Sequence, residues 1–495
     1  MNNHPIPQPD TVYQLFRELN NVPRPSWHEE KVADWLCQFA VDNQLDYQRD
    51  AHNCVVIRKA ASPGKEGCEP IVLHAHMDMV CVAEKGKDFD PLTSPIEAYI
   101  DNGWMKARGT SLGADNGMGL CMAMAVMKDK SLVHGPLELL VTTNEEDGMT
   151  GAANLSEDFV KARKMIDLDS EDYDTITVGA AGAYLQTASL PLSFVPAPHD
   201  TVFAQVSIDG GLGGHSGVDI NKQRMSAVKE ICLLAEQLLA TGKVCIASIH
   251  AGEANASIPS SAEMVIAIAA DAADDIIGLI RRYEIKKEGD PNIKVEVTLA
   301  APCQQVLADD CVQALIDSIG EIPFGMIKMS EQMPGTVETS NNIGVIRMEE
   351  DHFHITTHSR SFIDADMIAL GERIRDIFEK HGATTRLIMS TPAWEENTKS
   401  DYMHLMEQTF IDVLGFRPRP VEMHFVMEMG YFVEKFKGIQ IIPIGPRIIE
   451  PHSTSERVEL STIDNIWKVL IDVLGRLAQS PSHSIYSHIG KSPNT

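Results

Sequence analysis

The sequence lacks long apolar runs, paired cysteines and basic segments. No uncharged apolar stretch approaches the roughly 18 residues that a membrane-spanning helix requires, so no membrane association is expected. The amino-terminal residues contain no basic segment followed by an apolar core, and no signal peptide is predicted. The nine cysteines are scattered, odd in number and without a Cys-x-x-Cys pair. This pattern disfavours a disulfide framework or a thiolate zinc site and predicts a cytoplasmic protein.

Positive charge is also scarce. The chain has 42 Lys and Arg residues against 70 Asp and Glu residues, which gives a net charge of -28. Binding to nucleic acid requires a basic surface, so no nucleic-acid partner is predicted. Hydrophobic residues make up 44% and charged residues 23%, which is typical of a globular protein. A chain of 495 residues is too long to fold around one hydrophobic core of ordinary size, so two or three domains are expected.

Short apolar segments alternate with helical segments between residues 53 and 180, for example at 71–73, 117–128, 137–143 and 165–168. This alternation predicts an α/β layer with a largely parallel or mixed sheet. Two helices with a proline-containing turn between them are predicted before it, within residues 11–42.

A second pattern begins near residue 190. The proline-rich stretch 190–198 is interpreted as a linker, followed by a strand at 202–208 and a helix at 221–240. The α/β pattern returns with a helix at 401–414, a strand at 440–445 and a helix at 462–477. The sequence therefore predicts a split domain with an inserted α+β module. The predicted segments are 1–189 and 391–480 for the split α/β domain, 190–390 for the insert and 481–495 for a mobile tail.

The apolar segments of the split domain end in residue types that bind metals. His76 and Asp78 lie one residue apart at the end of a strand, so their side chains emerge on the same face. Asp115, the pair Glu145–Glu146 and Asp169 end later segments, and His452 follows the last predicted strand. Sites in such sheets form at the carboxyl ends of strands. The recurrence predicts one shared metal centre.

Each of these residues also has an ordinary interpretation. Asp115 alone fits a helix N-cap, the pair Glu145–Glu146 a solvated acidic turn, and His452 a surface loop. Only the joint pattern favours a metal. A two-zinc hydrolytic centre needs a bridging carboxylate, further ligands on each metal and a base, and this set supplies them. Since adjacent glutamates cannot both point at one metal, one of them is free to act as an acid or base.

Several segments resemble the co-catalytic metallopeptidases, which include carnosinases, aminoacylases and bacterial dipeptidases. The chain resembles in particular their aminoacyl-histidine dipeptidase (peptidase D) branch, over about residues 10 to 480. The segments that carry the resemblance are 22–30, 111–117, 142–152, 168–171, 334–344 and 451–458.

The resemblance implies one zinc ion on His76, Asp115 and Asp169, and a second on Asp115, Glu146 and His452. Asp115 would bridge the two ions, with a cis peptide bond to Asn116. Asp78 would orient His76, and Glu145 would be the general base.

The resemblance also implies that the insert is a lid and dimerisation domain. His215, in Gly-Gly-His-Ser-Gly, would polarise the scissile carbonyl. Arg360, in His-Ser-Arg-Ser, would clamp the carboxylate of a peptide, a contact that a guanidinium makes bidentately. The ordinary interpretations are a loop residue beside flexible glycines for His215 and a surface salt bridge for Arg360. Relatives carry a substrate-contacting asparagine in the lid, and here Asn255 lies one residue early, with Ala256 at the aligned position.

The expected function is hydrolysis of dipeptides, of broad or Xaa-His specificity, by a bridging water that two zinc ions and Glu145 activate. Cobalt or manganese is expected to substitute for zinc, and the chain is expected to be a cytoplasmic homodimer acting on small peptides. A tripeptidase or an N-acyl-amino-acid deacylase is the alternative, and a catalytically silent binding protein is a third hypothesis. The segment 424–430 has bulky residues where relatives have small ones, which bears on specificity.

Overall fold

The structure, a computed structural model, describes residues 9–331, 334–395 and 397–479. The chain divides into two units. Unit 1 contains the residues up to 178, residues 395–421 and those from 431 onward, while unit 2 contains 179–394 and 422–430. The chain therefore first passes from unit 1 to unit 2 at residue 179, before the predicted boundary at 189. Its short second passage through unit 2, at 422–430, was not predicted. The predicted tail, 481–495, lies outside the described residues.

Most of the described helices are between nine and eighteen residues long, and a short 3-10 helix covers Ala270–Ala272. The helices are α1 (Asp10–Leu19), α2 (Glu30–Asp42), α3 (Ala114–Lys128), α4 (Thr150–Asn154), α5 (Ala227–Leu239), α6 (Ala273–Arg281), α7 (Asp309–Glu321), α8 (Asp364–Lys380), α9 (Asp401–Leu414), α10 (Met429–Lys435) and α11 (Leu460–Leu477).

The strands range from two to twelve residues. They are β1 (Asp46–Arg49), β2 (Val55–Lys59), β3 (Ile71–His76), β4 (Ala98–Asp101), β5 (Trp104–Ala107), β6 (Leu137–Thr142), β7 (Lys164–Asp167), β8 (Thr175–Ala180), β9 (Gly182–Pro191), β10 (Phe194–Pro196), β11 (Thr201–Asp209), β12 (Val244–Ala251), β13 (Ala262–Ala269), β14 (Lys294–Leu299), β15 (Gln305–Leu307), β16 (Gly325–Met329), β17 (Val337–Met348), β18 (His352–Ser361), β19 (Thr384–Thr391), β20 (Trp394–Glu395), β21 (Arg419–Met423), β22 (Gln440–Pro443), β23 (Ile448–Ile449) and β24 (Arg457–Glu459).

Unit 1 is built on a mixed six-stranded sheet in the order β1-β2-β6-β3-β7-β22. The two pairs that involve β2 are antiparallel, whereas β6, β3, β7 and β22 run parallel to one another. All six residues of β3 are buried, as expected for a strand in the middle of a sheet with both faces covered. The predicted α/β class with a mixed central sheet is confirmed.

Helix α3 occupies the core of unit 1. Its residues from Ala114 to Met127 are all buried, and those after Asp115 and Asn116 are apolar on every side of the helix rather than on one stripe. A helix with this composition has no face suited to solvent and packs inside the protein. The first turn of α3 carries Asp115, so that carboxylate is attached to one of the most enclosed elements of the unit.

Unit 2 contains a nine-stranded sheet, with the order β14-β11-β13-β12-β17-β18-β9-β19 and with β16 paired to β17. The pairs are antiparallel, and residues of α5, α7 and α8 share one apolar core with the strands. This arrangement is that of an α+β module.

Two predictions about local structure in unit 2 are wrong. The predicted linker at 190–198 contains the end of β9 and all of β10, which pairs with β15. The linker was predicted because the stretch is rich in proline, but proline is accommodated in strands at the edges of small sheets. The helix predicted from residue 221 begins at Ala227, because Ser226 caps it by accepting a hydrogen bond from the N–H of Lys229.

Among the described residues, no helix has the length and apolar character needed to cross a membrane.

Candidate metal centre and buried arginine

The sheet of unit 1 brings the predicted metal-binding residues to one edge. His76 is the last residue of β3, Glu145 and Glu146 follow β6, and Asp169 follows β7. His452 follows β22 at a greater distance along the chain, in the loop between β23 and β24. These four strands are neighbours and run parallel, so their carboxyl ends meet at the same edge of the sheet.

Asp115 lies at the centre of this group. Its Oδ1 is 3.1 Å from Nε2 of His76, and its Oδ2 is 3.1 Å from Nε2 of His452. Glu146 Oε2 is 2.8 Å from the same nitrogen of His452, and Asp169 Oδ1 is 3.5 Å from Nε2 of His76. Each histidine therefore shares Asp115 and adds one further carboxylate. The peptide bond between Asp115 and Asn116 is cis, as expected.

Asp78 lies behind His76. Its Oδ1 is 3.4 Å from Nδ1 of the imidazole, on the opposite side of the ring from Asp115. The Asp78 carboxylate also accepts hydrogen bonds from Ser26 Oγ at 2.8 Å and from the backbone N–H groups of Glu145 and Glu146 at 3.1 and 3.2 Å. Asp78 thus lies against the His76 ring and binds the backbone that carries the glutamate pair. The contribution of Ser26 was not found in the sequence, because it arises from a loop 52 residues away.

Opposite charges in this group stabilise one another, whereas its like charges repel. Hydrogen bonds to Asp115 and Glu146 raise the pKa of His452 to about 11. Burial raises the pKa of Asp169 to about 7, and the neighbouring charges of Asp115 and Asp167 add to this rise. Burial opposes charge on Asp115 and His76 as well, but their mutual contacts lower the pKa of Asp115 and raise that of His76.

The donor set fits a divalent cation. One ligand atom each from His76, Asp115 and Glu146 lie within 4.8 Å of one another. Glu146 also has a buried carboxylate oxygen, Oε1, with no hydrogen-bond partner among the described residues. Imidazole nitrogens and carboxylate oxygens are the ligands that zinc, cobalt and manganese accept in proteins.

Arg360 is a deeply buried charged residue of unit 2. It is only 2% exposed, and its Nε and Nη1 have no hydrogen-bond partner among the described residues. Its Nη2 lies 3.4 Å from Nδ1 of His358, two residues earlier on β18. Burial lowers the pKa of Arg360 to about 10, so the guanidinium still carries its charge near pH 7. The surface salt bridge considered for Arg360 is therefore wrong.

The histidines beside Arg360 are held neutral. Burial and the charge of Arg360 lower the pKa of His424 to about 3 and that of His358 well below its ordinary value. His424 Nε2 lies 2.8 Å from the hydroxyl of Ser340, on β17. Because an unpaired buried cation is costly, this cluster favours the approach of an anionic group. His358 could have been found from the sequence, since it lies two residues before Arg360 on the same strand face.

The ring of His215 is oriented by its own loop. Its Nδ1 accepts hydrogen bonds from the N–H groups of Gly217 and Val218, both at 3.2 Å. Desolvation and the charge of Arg360 lower the pKa of His215 to about 4, so the ring is neutral near pH 7. A neutral imidazole whose Nδ1 is an acceptor carries its hydrogen on Nε2. His215 therefore presents an N–H donor.

Asn255 is exposed, and its backbone carbonyl accepts a long hydrogen bond of 3.4 Å from Asn342 Nδ2. The same amide donates to the carbonyl of Ser257 at 2.7 Å, so Asn342 on β17 ties down the turn that carries Asn255. The bulky segment 424–430 has a buried His424 and a half-buried Phe425, which meets the His215 ring edge-on at 6.1 Å between ring centres.

The chain belongs to the peptidase family M20/M25/M40, whose sequence profile matches residues 72–476. It is 33% identical over 477 residues to the cytosol non-specific dipeptidase of Escherichia coli (strain K12), which covers 94% of this chain and 97% of the relative.

Solved structures agree with this assignment. The crystal structure of aminoacylhistidine dipeptidase from Vibrio alginolyticus is 30% identical, covers 94% of this chain and 96% of that one, and has a TM-score of 0.82. An aminopeptidase from Bacillus cereus, with 16% identity and a TM-score of 0.60, covers 95% of this chain and 98% of that one. It shares the fold. The resemblance found in the sequence is confirmed.

Proposed function

We propose that this protein is a metal-dependent dipeptidase with two zinc ions, and that it acts on dipeptides of broad or Xaa-His sequence. The observation that carries the proposal is the double role of Asp115, whose two oxygens each face a different histidine at 3.1 Å. His76, Asp115 and Asp169 would hold one ion, and Asp115, Glu146 and His452 the other. The names of the relatives from Escherichia coli and Vibrio alginolyticus support a dipeptide substrate.

The residues of the centre have distinct tasks in this proposal. Cations held there would supply Lewis-acid chemistry, which polarises a carbonyl and acidifies water. Glu145 accepts the proton of the attacking water on its carboxylate and returns it to the leaving amine. Asp78 keeps the His76 ring and the Glu145 backbone in position. The Nε2–H of His215 donates to the carbonyl oxygen as negative charge develops.

Arg360 binds the free carboxylate of the substrate. Two groups of the guanidinium, Nε and Nη1, have no hydrogen-bond partner within the described parts of the chain, and these groups and the neutral histidines beside them support this role. Asn255 contacts the substrate from the turn that Asn342 holds in place. A tripeptidase or a deacylase of N-acyl amino acids is the alternative, and a comparison of dipeptides with N-acyl amino acids as substrates separates the deacylase from a peptidase. The name of the Escherichia coli relative supports a cytosolic location for this chain.

Chelation of divalent metal should abolish hydrolysis of a dipeptide, and zinc, cobalt or manganese should restore it. The reason is that the carboxylates of the donor set are buried close together, and bound divalent cations would neutralise their charge. Metal analysis after zinc reconstitution should give about two ions per chain, one for each of the two proposed ligand sets. Fewer than one ion per chain would contradict the two-metal proposal, and metal-independent activity would contradict the whole assignment.

We also propose that the chain forms a homodimer through unit 2. Strand β19 lies at an end of the nine-stranded sheet, and its Leu387 and Ile388 are each 48% exposed. An exposed edge strand with apolar side chains is a template for pairing with a second chain. Sedimentation should therefore give twice the chain mass of 54.4 kDa. The Ile388→Lys variant should raise the dimer dissociation constant by about tenfold or more, since burying an unpaired ammonium is unfavourable. A monomeric wild type would refute this proposal.

A further inference from the structure

A buried carboxylate connects two of the loops that form the metal centre. Glu456 lies in the loop that carries His452, and it is only 3% exposed. Its Oε2 accepts hydrogen bonds from the N–H groups of Leu112 at 2.7 Å and Gly113 at 2.9 Å. Its Oε1 accepts from Ala114 at 2.8 Å and from Asp115 at 3.3 Å. One side chain therefore holds four consecutive N–H groups, and the last of them belongs to Asp115.

These N–H groups lie just before and within the kinked start of α3, where Asp115 and Asn116 have non-helical backbone angles. The residue before the helix is Gly113, which makes no side-chain cap. Glu456 supplies the acceptors for these N–H groups from more than 340 residues away in the sequence. The backbone at Asp115 is thereby fixed relative to the loop of His452.

The buried guanidinium of Arg24 binds backbone carbonyl groups of the same loop. The Nη1 of Arg24 donates to the carbonyls of Met77 at 3.1 Å and Asp78 at 2.9 Å, and its Nη2 donates to that of Gly113 at 2.6 Å. Arg24 is 2% exposed. It belongs to the segment 22–30, which also contains Ser26. The guanidinium fork thus ties the backbone after His76 to the backbone before Asp115.

The contact is close. Gly113 has a φ of +67°, and a Cβ at this position or at Gly117 would meet Nη2 of Arg24. The planar guanidinium therefore lies directly against the backbone of the loop. A residue that only filled space would not need three hydrogen bonds to carbonyls of two separate loops.

We propose that Glu456 and Arg24 are positioning residues for the metal centre. Glu456 sets Asp115 relative to His452, Arg24 sets Asp115 relative to His76, and together they determine how tightly metal is bound. The inference rests on the proposed metal site and adds two residues that contact none of its ligand side chains in the described chain. Outer residues that orient ligands typically change metal affinity by about 10–100-fold when they are replaced.

The test uses the full chain and cobalt as the probe. In Glu456→Gln the amide keeps the size but turns one end into a donor that faces N–H groups, so no more than half of the hydrogen bonds survive. Arg24→Lys removes the planar fork. Both variants should bind cobalt about 10–100-fold more weakly and shift its visible absorption bands, because Asp115 moves relative to the histidines. Glu459→Gln, three residues further on, is the matched control and should equal wild type.

A second measurement separates positioning from simple stabilisation. Thermal unfolding of the metal-free variants reports stability alone, whereas the cobalt spectrum reports ligand geometry. Cobalt affinity and spectrum equal to wild type in both variants would overturn the proposal, whatever the change in unfolding temperature. If Glu456→Gln does not yield folded protein, Glu456→Asp carries the same test, since it keeps the charge but cannot reach all four N–H groups. A wild type that binds cobalt but cleaves no dipeptide would contradict only the proposed function.

Discussion

Replacing Glu145 with glutamine should leave the metal content unchanged and lower kcat/KM for a dipeptide by about two to four powers of ten. This corresponds to roughly 3–5 kcal/mol of lost transition-state stabilisation. The amide has the size of the carboxylate but cannot accept the proton of the attacking water or return it to the leaving amine. The backbone N–H of Glu145 keeps its hydrogen bond to Asp78, so the loop should hold its position.

The matched control is Glu157→Gln, an exposed glutamate twelve residues later in unit 1, which should behave as wild type. Metal content is measured for both variants alongside the steady-state rates. A Glu145→Gln variant with near wild-type turnover would show that another group is the base. A variant that has lost its metal would instead assign Glu145 a ligand role.

The sequence was sufficient for the parts of the fold that repeat a local pattern. Apolar runs predicted β3, β6, β7 and β22, and the rule that parallel strands place their carboxyl ends together predicted that His76, Asp169 and His452 meet. The helix α9 was predicted with its observed bounds, because Ser400 supplies a cap and Gly415 an ending at its two ends. Each of these features depends on neighbours in the chain.

Features that depend on distant backbone could not be predicted in this way. Glu456 binds N–H groups more than 340 residues away, and a glutamate in a polar loop carries no sign of such a partner. Arg24 likewise donates to carbonyls, which every residue has. The return of residues 422–430 to unit 2 could not be predicted either, because no single helix or strand pattern in the sequence coincides with this segment. Burial, not residue type, identifies these residues.

The second large effect concerns recognition of the substrate carboxylate. Arg360 is a buried guanidinium whose described surroundings offer neutral histidines and no ion pair, and its Nε and Nη1 have no partners among those residues. A dipeptide would complete it with a bidentate, charge-assisted contact. Because that contact is remote from the scissile bond, its binding energy would also align the bond, and losing it should lower kcat as well as raise KM. Longer peptides carry their carboxylate further from the scissile bond and should be poor substrates.

The decisive experiment compares a dipeptide with its C-terminal amide in wild type and in Arg360→Ala. Wild type should prefer the free carboxylate by roughly 30-fold to several thousand-fold in kcat/KM, which is the range for removing one partner of a buried charge pair. Arg360→Ala should lose most of this preference by hydrolysing the dipeptide more slowly. Arg347→Ala, which removes an exposed arginine from the neighbouring strand β17, should keep it. Equal hydrolysis of dipeptide and amide by wild type would exclude the carboxylate contact, and cleavage of N-acyl amino acids in preference to dipeptides would make the chain a deacylase.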